Sequence, residues 1–236
     1  MPIDVIIMSE TNIRKVNFEN DREELVILFV NAFEHQRQYI NVTHLDGENH
    51  RAALKWIFER RLLLYERFGD NANLLLAVHD GKIVGAGGIA LNAAESTLYD
   101  LFAVGFLLMP FSLGFGALMR AMSLRGTTEN TIVDPFGGKV MLMAVEPNLQ
   151  GQGIGEKLLR NLIEDWESEN SGDLLLLTQL ESSTRFYAKF GFELTNQVLK
   201  DGYSNYSMRR PKLLDLASSS TGVLKEETAV IPNQDK

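Results

Sequence analysis

The chain has no cysteine among its 236 residues, which excludes a disulfide framework, a thiolate metal site and a cysteine nucleophile. Histidine is scarce as well, four in all, and scattered imidazoles make a poor metal site, so no metal is expected. Positive charge is in deficit: 31 acidic against 23 basic residues leave a net charge of −8. That balance opposes non-specific nucleic-acid binding, which cationic patches drive. The opening MPIDVIIMSE lacks the basic n-region and long apolar core of a secretory signal, and the expectation is a cytoplasmic protein. No internal repeat is visible.

Charge is missing altogether from residues 101–119, LFAVGFLLMPFSLGFGALM, a run long enough in principle to cross a bilayer. Pro110 at its centre and Gly105, Gly114 and Gly116 argue against a spanning helix. The expectation is two short buried helices, broken near Pro110 and Ser112, that cover a sheet or wall a substrate tunnel. Phe102, Phe106, Phe111 and Phe115 are the candidates to line it. A patch facing a membrane surface is the alternative.

What the chain does have is concentrated between Met141 and Glu167: MLMAVEPNLQGQGIGEKLLRNLIEDWE. An apolar strand runs through a proline bend and a glycine-rich turn into an amphipathic helix. This order aims the free N–H groups of a helix N-terminus at one spot past a strand end, where a phosphate would be held. The turn reads Gln150-Gly151-Gln152-Gly153-Ile154-Gly155. No Lys-Ser or Lys-Thr follows its last glycine, so the nucleoside triphosphatase pattern fails, and Glu156 stands where a dinucleotide fingerprint wants its third glycine. A second segment, LLLLTQLESSTRFYAKFGFEL over Leu174–Leu194, reads as a buried strand, a short helix carrying Phe186-Tyr187, and Gly191-Phe192 leading into another strand.

In their order and spacing the two segments resemble the GCN5-related N-acetyltransferase (GNAT) superfamily. Gln150, Gly153 and Gly155 match its Q-x-x-G-x-G pyrophosphate loop, Met143-Ala144-Val145-Glu146-Pro147 its central strand, and Phe186-Tyr187 with Gly191-Phe192 its following block. The layout is most similar to the puromycin N-acetyltransferase-like branch, with two N-terminal helices, a helical insertion before the central strand, and Thr178 followed by Phe186-Tyr187. The resemblance covers roughly Ile13 to Arg209.

It implies an α/β fold with a mixed, mostly antiparallel sheet, helices on both faces and the insertion at about 97–125. Residues 1–210 would form one domain, and the serine-, threonine- and glutamate-rich residues from Ser218, within 211–236, a disordered tail. Thr11 to Phe18 reads as a first strand. Asn20 or Asp21 can cap a helix to about Phe33, and a second helix from about His50 to Phe68 places Leu54, Ile57, Phe58, Arg61, Leu62 and Tyr65 near one face. Asn73–His79 and Lys82–Leu91 form a hairpin on Asp80-Gly81, and a polar linker spans about Arg125–Gly138. Phe192–Leu199 and Tyr203–Arg209 form a last hairpin on Asp201-Gly202.

For function, the resemblance implies acetyl-CoA as co-substrate and direct acetyl transfer to an amine. Backbone groups of Met143, Ala144 and Val145 would hold the pantetheine arm, and Gln150, Gly151, Gln152, Gly153, Ile154, Gly155 and Glu156 the pyrophosphate, with Ser183 as a further cofactor contact. Tyr187 occupies the family's general-acid position. Relatives often carry Glu before the motif threonine and Asn early in the next helix, where this chain has Leu177 and Ser183. The base is therefore not transferable. Glu146 is a candidate acting through water, while His35, His44 and His50 read as surface histidines near the acceptor side. The expected partner is a small-molecule amine, with a homodimer left open. A non-catalytic acyl-CoA sensor, a protein N-acetyltransferase and a peripheral membrane protein acting on a lipid-like amine are the alternatives.

Overall fold

A computed structural model describes residues 11–91, 97–125, 137–200 and 202–212. The N-terminal decapeptide, most of the polar linker, Asp201 of the last turn and the tail from Ser218 lie outside the described residues.

The elements follow the order β1 (Asn12–Lys15), α1 (Phe18–Phe33), α2 (Arg37–Thr43), α3 (Gly47–Phe68), β2 (Ala72–His79), β3 (Lys82–Leu91), α4 (Leu98–Ala103), α5 (Met109–Leu113), α6 (Phe115–Arg125), β4 (Gly138–Val145), α7 (Ile154–Glu169), β5 (Leu174–Thr178), α8 (Glu181–Ala188), β6 (Glu193–Lys200) and β7 (Tyr203–Arg210). The strands make one sheet in the order β1-β2-β3-β4-β5-β7-β6. Every neighbouring pair is antiparallel except β4 and β5.

Two apolar layers sandwich this sheet. Alternation along β2 sends Leu74 and Leu76 to one face and Leu75 to the other, as the two-residue strand period requires. The first face is covered by α1 and α3 through Leu25, Phe29, Leu54, Phe58 and Leu62. On the second face α7 lays down Ile154, Leu158, Leu159, Leu162, Ile163 and Trp166, a stripe at helical spacing. Trp166 lies so close to the start of β4 that a Cβ on Gly138 would fall 2.7 Å from its ring and 2.8 Å from Ile89. Only glycine fits there.

Several boundaries depart from the sequence-based expectation. The first strand is confined to Asn12–Lys15, and α1 is capped by Asn17, whose side chain accepts from the N–H groups of Glu19 and Asn20. Asp21, a suggested cap, is buried and takes a forked bond from Arg14 at 2.6 and 2.7 Å together with the Asn17 N–H at 2.7 Å. The seven-residue α2 is too short to show a period, and α3 begins three residues before His50. β6 opens at Glu193, leaving Phe192 as a buried plug before it.

The uncharged run differs most. It breaks at Gly105 and Gly114, and Pro110 sits in the first turn of α5, where the missing N–H costs nothing. Nor is it buried: Val104, Met109 and Ala117 face inward, whereas Phe102 is 68% and Phe111 88% exposed, and Phe115 is exposed beside them. Among the described residues no helix is long and apolar enough to cross a membrane.

Candidate active site

The parallel pairing of β4 with β5 lasts for only two positions, Gly138 with Leu174 and Lys139 with Leu175. Beyond it β5 continues against β7, while β4 continues against β3 alone. From Val140 to Val145, β4 therefore presents peptide groups toward a notch in the sheet. A β-bulge lies in the same stretch: Val140 faces Ile89 and Met143 faces Gly87, so Met141 and Leu142 together oppose Gly88. The extra residue resets the alternation. Val140 and Met143 pack toward α7, whereas Met141, Leu142 and Ala144 pack toward α1 and α3.

Past Val145, Glu146 donates its N–H to Val84 O at 2.9 Å, and Pro147–Leu149 makes a 3-10 turn. Gln150 turns its carboxamide back to donate to Val145 O at 3.1 Å, bracing the loop on the strand end. Gly153, at φ +83°, is the N-cap of α7 and offers no side chain to its first turn. A β-carbon would be strained in that left-handed conformation. The first backbone bond onto the cap is Lys157 N–H to Gly153 O, 3.0 Å, so the N–H groups of Ile154, Gly155 and Glu156 have no helical acceptor. With Gly151, Gln152 and Gly153 exposed, this corner suits an anion. Glu156 is itself acidic, and Lys189 on the last turn of α8 pairs with it at 3.1 Å.

Tyr187 rises from α8 into the α7-side core, edge-on to Phe186 and Phe192. Burial pushes its phenol up to about 12, which keeps it protonated at neutral pH. Gly155 lies against both Val145 and Phe186, so loop, strand end and α8 meet. Ser183 is half-buried on the first turns of the same helix. Glu146 is also half-buried, and Asn31 Nδ2 approaches its carboxylate at 3.5 Å. Asn31 in turn accepts from Arg51, which is ion-paired with Glu34.

The histidines separate. His35 and His44 are exposed, but His50 is 5% exposed and bridges Thr43 Oγ1 at 2.8 Å and Glu34 O at 2.9 Å. It ties α3 to the ends of α1 and α2, which corrects its reading as a surface group. Phe102, Phe111 and Phe115 wall no enclosed pocket, since they face solvent; Phe106 packs edge-on to Trp56.

Sequence reasoning passed over one constellation. Arg61, set deep against Tyr39 and Tyr65 yet still partly accessible, donates to Tyr39 Oη at 2.7 Å. A cation inside an otherwise apolar helical stripe was the signal that could have found it.

Comparisons with known proteins agree with this geometry. Residues 114–194 match the family model described as acetyltransferase (GNAT) domain. Among solved structures, the chain is similar to the histone acetyltransferase HPA2 and related acetyltransferase of Corynebacterium glutamicum, at 16% identity and a TM-score of 0.62, over 89% of this chain and 99% of that one. It is similar to the PaiA N-acetyltransferase of Thermoplasma acidophilum in complex with coenzyme A, at 14% identity and 0.54, over 86% and 99%. A third is YncA of Salmonella typhimurium, a putative acetyltransferase with its cofactor acetyl-CoA, at 18% and 0.52, over 86% and 94%. At these identities the likeness is one of fold. Among curated protein sequences none matches.

Proposed function

We propose that this chain is an acetyltransferase of the GNAT superfamily and that it moves an acetyl group from acetyl-CoA to the primary amine of a small molecule by direct attack in a ternary complex. The observation that carries the reading is the juxtaposition of the opened β4 edge with the side-chain-free N-terminus of α7. One offers strand peptide groups and the other offers anion-binding amides, and the solved relatives holding coenzyme A or acetyl-CoA share the fold. Residues 1–210 are read as one domain with its insertion at 97–125.

In this reading the amides of Gly151 to Glu156 hold the pyrophosphate, with Gln150 bracing the loop. The peptide groups of Met143, Ala144 and Val145 align the pantetheine arm, and Ser183 borders it. Acetyl-CoA supplies an activated thioester carbonyl: the amine nitrogen takes the acetyl group, the carbon–sulfur bond breaks and the sulfur takes up a proton. Holding amine and carbonyl in attack geometry supplies much of the acceleration. Tyr187, kept neutral by burial, is the proton donor to the leaving sulfur. Glu146, at the mouth of the strand, accepts the ammonium proton through water.

Calorimetry with acetyl-CoA, followed by thiol release with and without a panel of amines, tests the reading. Micromolar binding and amine-dependent thiol release are expected. A second reading, a non-catalytic acyl-CoA sensor, is favoured by Leu177 and Ser183, where relatives carry Glu and Asn. Binding without turnover on any amine would select it, and no binding would defeat both. Turnover confined to protein N-termini would replace the small-molecule acceptor.

A further inference from the structure

Arg61 stands in the stripe of α3 formed by Leu54, Ile57, Phe58, Leu62 and Tyr65, which packs under Leu142 and Ala144 of β4. A guanidinium so placed gives up part of its hydration, a loss that an anion beside it would offset. Among the described residues no carboxylate is within ion-pair distance of it; its hydrogen-bond partner is the neutral phenol of Tyr39. One turn along, Tyr65 is 4% exposed, and its buried hydroxyl has no hydrogen-bond partner among the described residues, although it approaches the Leu142 peptide. Orphaned buried hydroxyls are uncommon in folded proteins and call for an explanation. Arg61 and Tyr65 are thus two donors, side by side, lacking a charged acceptor.

Their place in the fold says what that acceptor belongs to. Leu142 is in the β4 bulge, at the middle of the opened edge. The phosphate corner lies at the far end of β4, on the N-terminus of α7, which covers the opposite face of the sheet. An anion at Arg61 is therefore not a cofactor phosphate. It lies on the α1 and α3 face of the sheet, across from that corner, the side left for the acceptor.

We propose that the acceptor is a primary amine that also carries a carboxylate, an amino-acid-like molecule, and that Arg61 and Tyr65 bind the carboxylate. This deepens the acetyltransferase reading and rests on it for the role of the amine. Arginine suits the task because its planar fork matches a carboxylate's two oxygens.

The test uses amine pairs differing only in the carboxylate, L-phenylalanine against 2-phenylethylamine and L-lysine against cadaverine, with the full chain and its Arg61→Met, Arg61→Lys and Tyr65→Phe variants. Charge-assisted hydrogen bonds of about 1.5–3 kcal/mol correspond to roughly 10- to 150-fold in kcat/KM. The carboxylated partner should be preferred by that factor. Arg61→Met should abolish the preference by slowing the carboxylated amine far more than its decarboxylated partner, Arg61→Lys should restore part of it, and Tyr65→Phe should weaken it. Calorimetry of L-phenylalanine and L-lysine in the presence of CoA provides a readout independent of turnover. Equal rates within each pair, an equal loss on both members in Arg61→Met, or no binding of either amino acid overturns the inference. Acetyl-CoA binding without carboxylate discrimination sinks this inference alone; absence of acetyl-CoA binding sinks the enzymatic reading, while the amino-acid titrations still decide the carboxylate site.

Discussion

Tyr187 carries the heaviest burden of any single residue in the proposed chemistry. Its ring fills core space beside Phe186 and Phe192 whether or not the hydroxyl reacts, so Tyr187→Phe leaves packing almost intact. General acid catalysis contributes about 10²–10⁴-fold, and turnover should fall by roughly 10²-fold or more with acetyl-CoA affinity unchanged. Steady-state kinetics beside calorimetry checks this, and unaltered kcat removes the assignment. At the opposite edge of the molecule, the Asp21 carboxyl is held below its ordinary value, first by the Arg14 bond and then by the Asn17 N–H. A carboxylate with a depressed folded pKa contributes stability that is present above its unfolded pKa of about 3.9 and is lost as pH falls through the folded value. Denaturant titrations from about pH 6 down to pH 2 should show that loss in the parent chain and much less of it in Asp21→Asn, which itself costs about 1.5–3 kcal/mol at neutral pH.

At the scale of elements, the loop and α7 act as one device. Gln150 anchors the loop to β4, Gly153 sets the left-handed turn, and the buried stripe from Ile154 to Trp166 fixes the helix axis. Gly153→Ala must place a β-carbon at φ +83°, at a cost of about 1–2 kcal/mol. The expected result is a modest fall in thermal stability and a larger, about tenfold or greater, weakening of acetyl-CoA binding, because the amides of Ile154, Gly155 and Glu156 lose their aim. An unchanged dissociation constant would detach the loop from cofactor recognition. Most of these elements were legible from sequence. The α7 stripe has a clean 3.6-residue period, and Asp80-Gly81 marks its hairpin by turn chemistry. The short α2 was not, since seven residues carry no period, and the insertion was expected to be helical but its breaks and exposure were missed, since uncharged stretches look the same whether they are buried or exposed.

Over the whole molecule, apolar character and burial part company. Leu158 is fully buried between sheet and helix, and Leu158→Ala should cost about 2–5 kcal/mol in chemical denaturation. Phe111, larger and equally apolar, contributes little to the core, and Phe111→Ser should stay within about 0.5 kcal/mol of the parent. A large loss at Phe111 would show that the insertion is covered in solution. The same global arrangement puts the N-terminus of α7 and Arg61 on opposite faces of one sheet, separated by the opened edge of β4.

The amino-acid order was sufficient for the glycine-rich turn, the buried helix behind it and the Phe186-Tyr187 block, because each is a local pattern whose physics acts within one or two turns of chain. The bulge that reverses which β4 side chains face α7, the parting of β4 from β5 after two pairs, the interior place of His50 and the meeting of Arg61 with Tyr39 and Tyr65 required the folded chain. Each depends on segments tens of residues apart competing for the same space and the same hydrogen bonds, and no local period records the outcome.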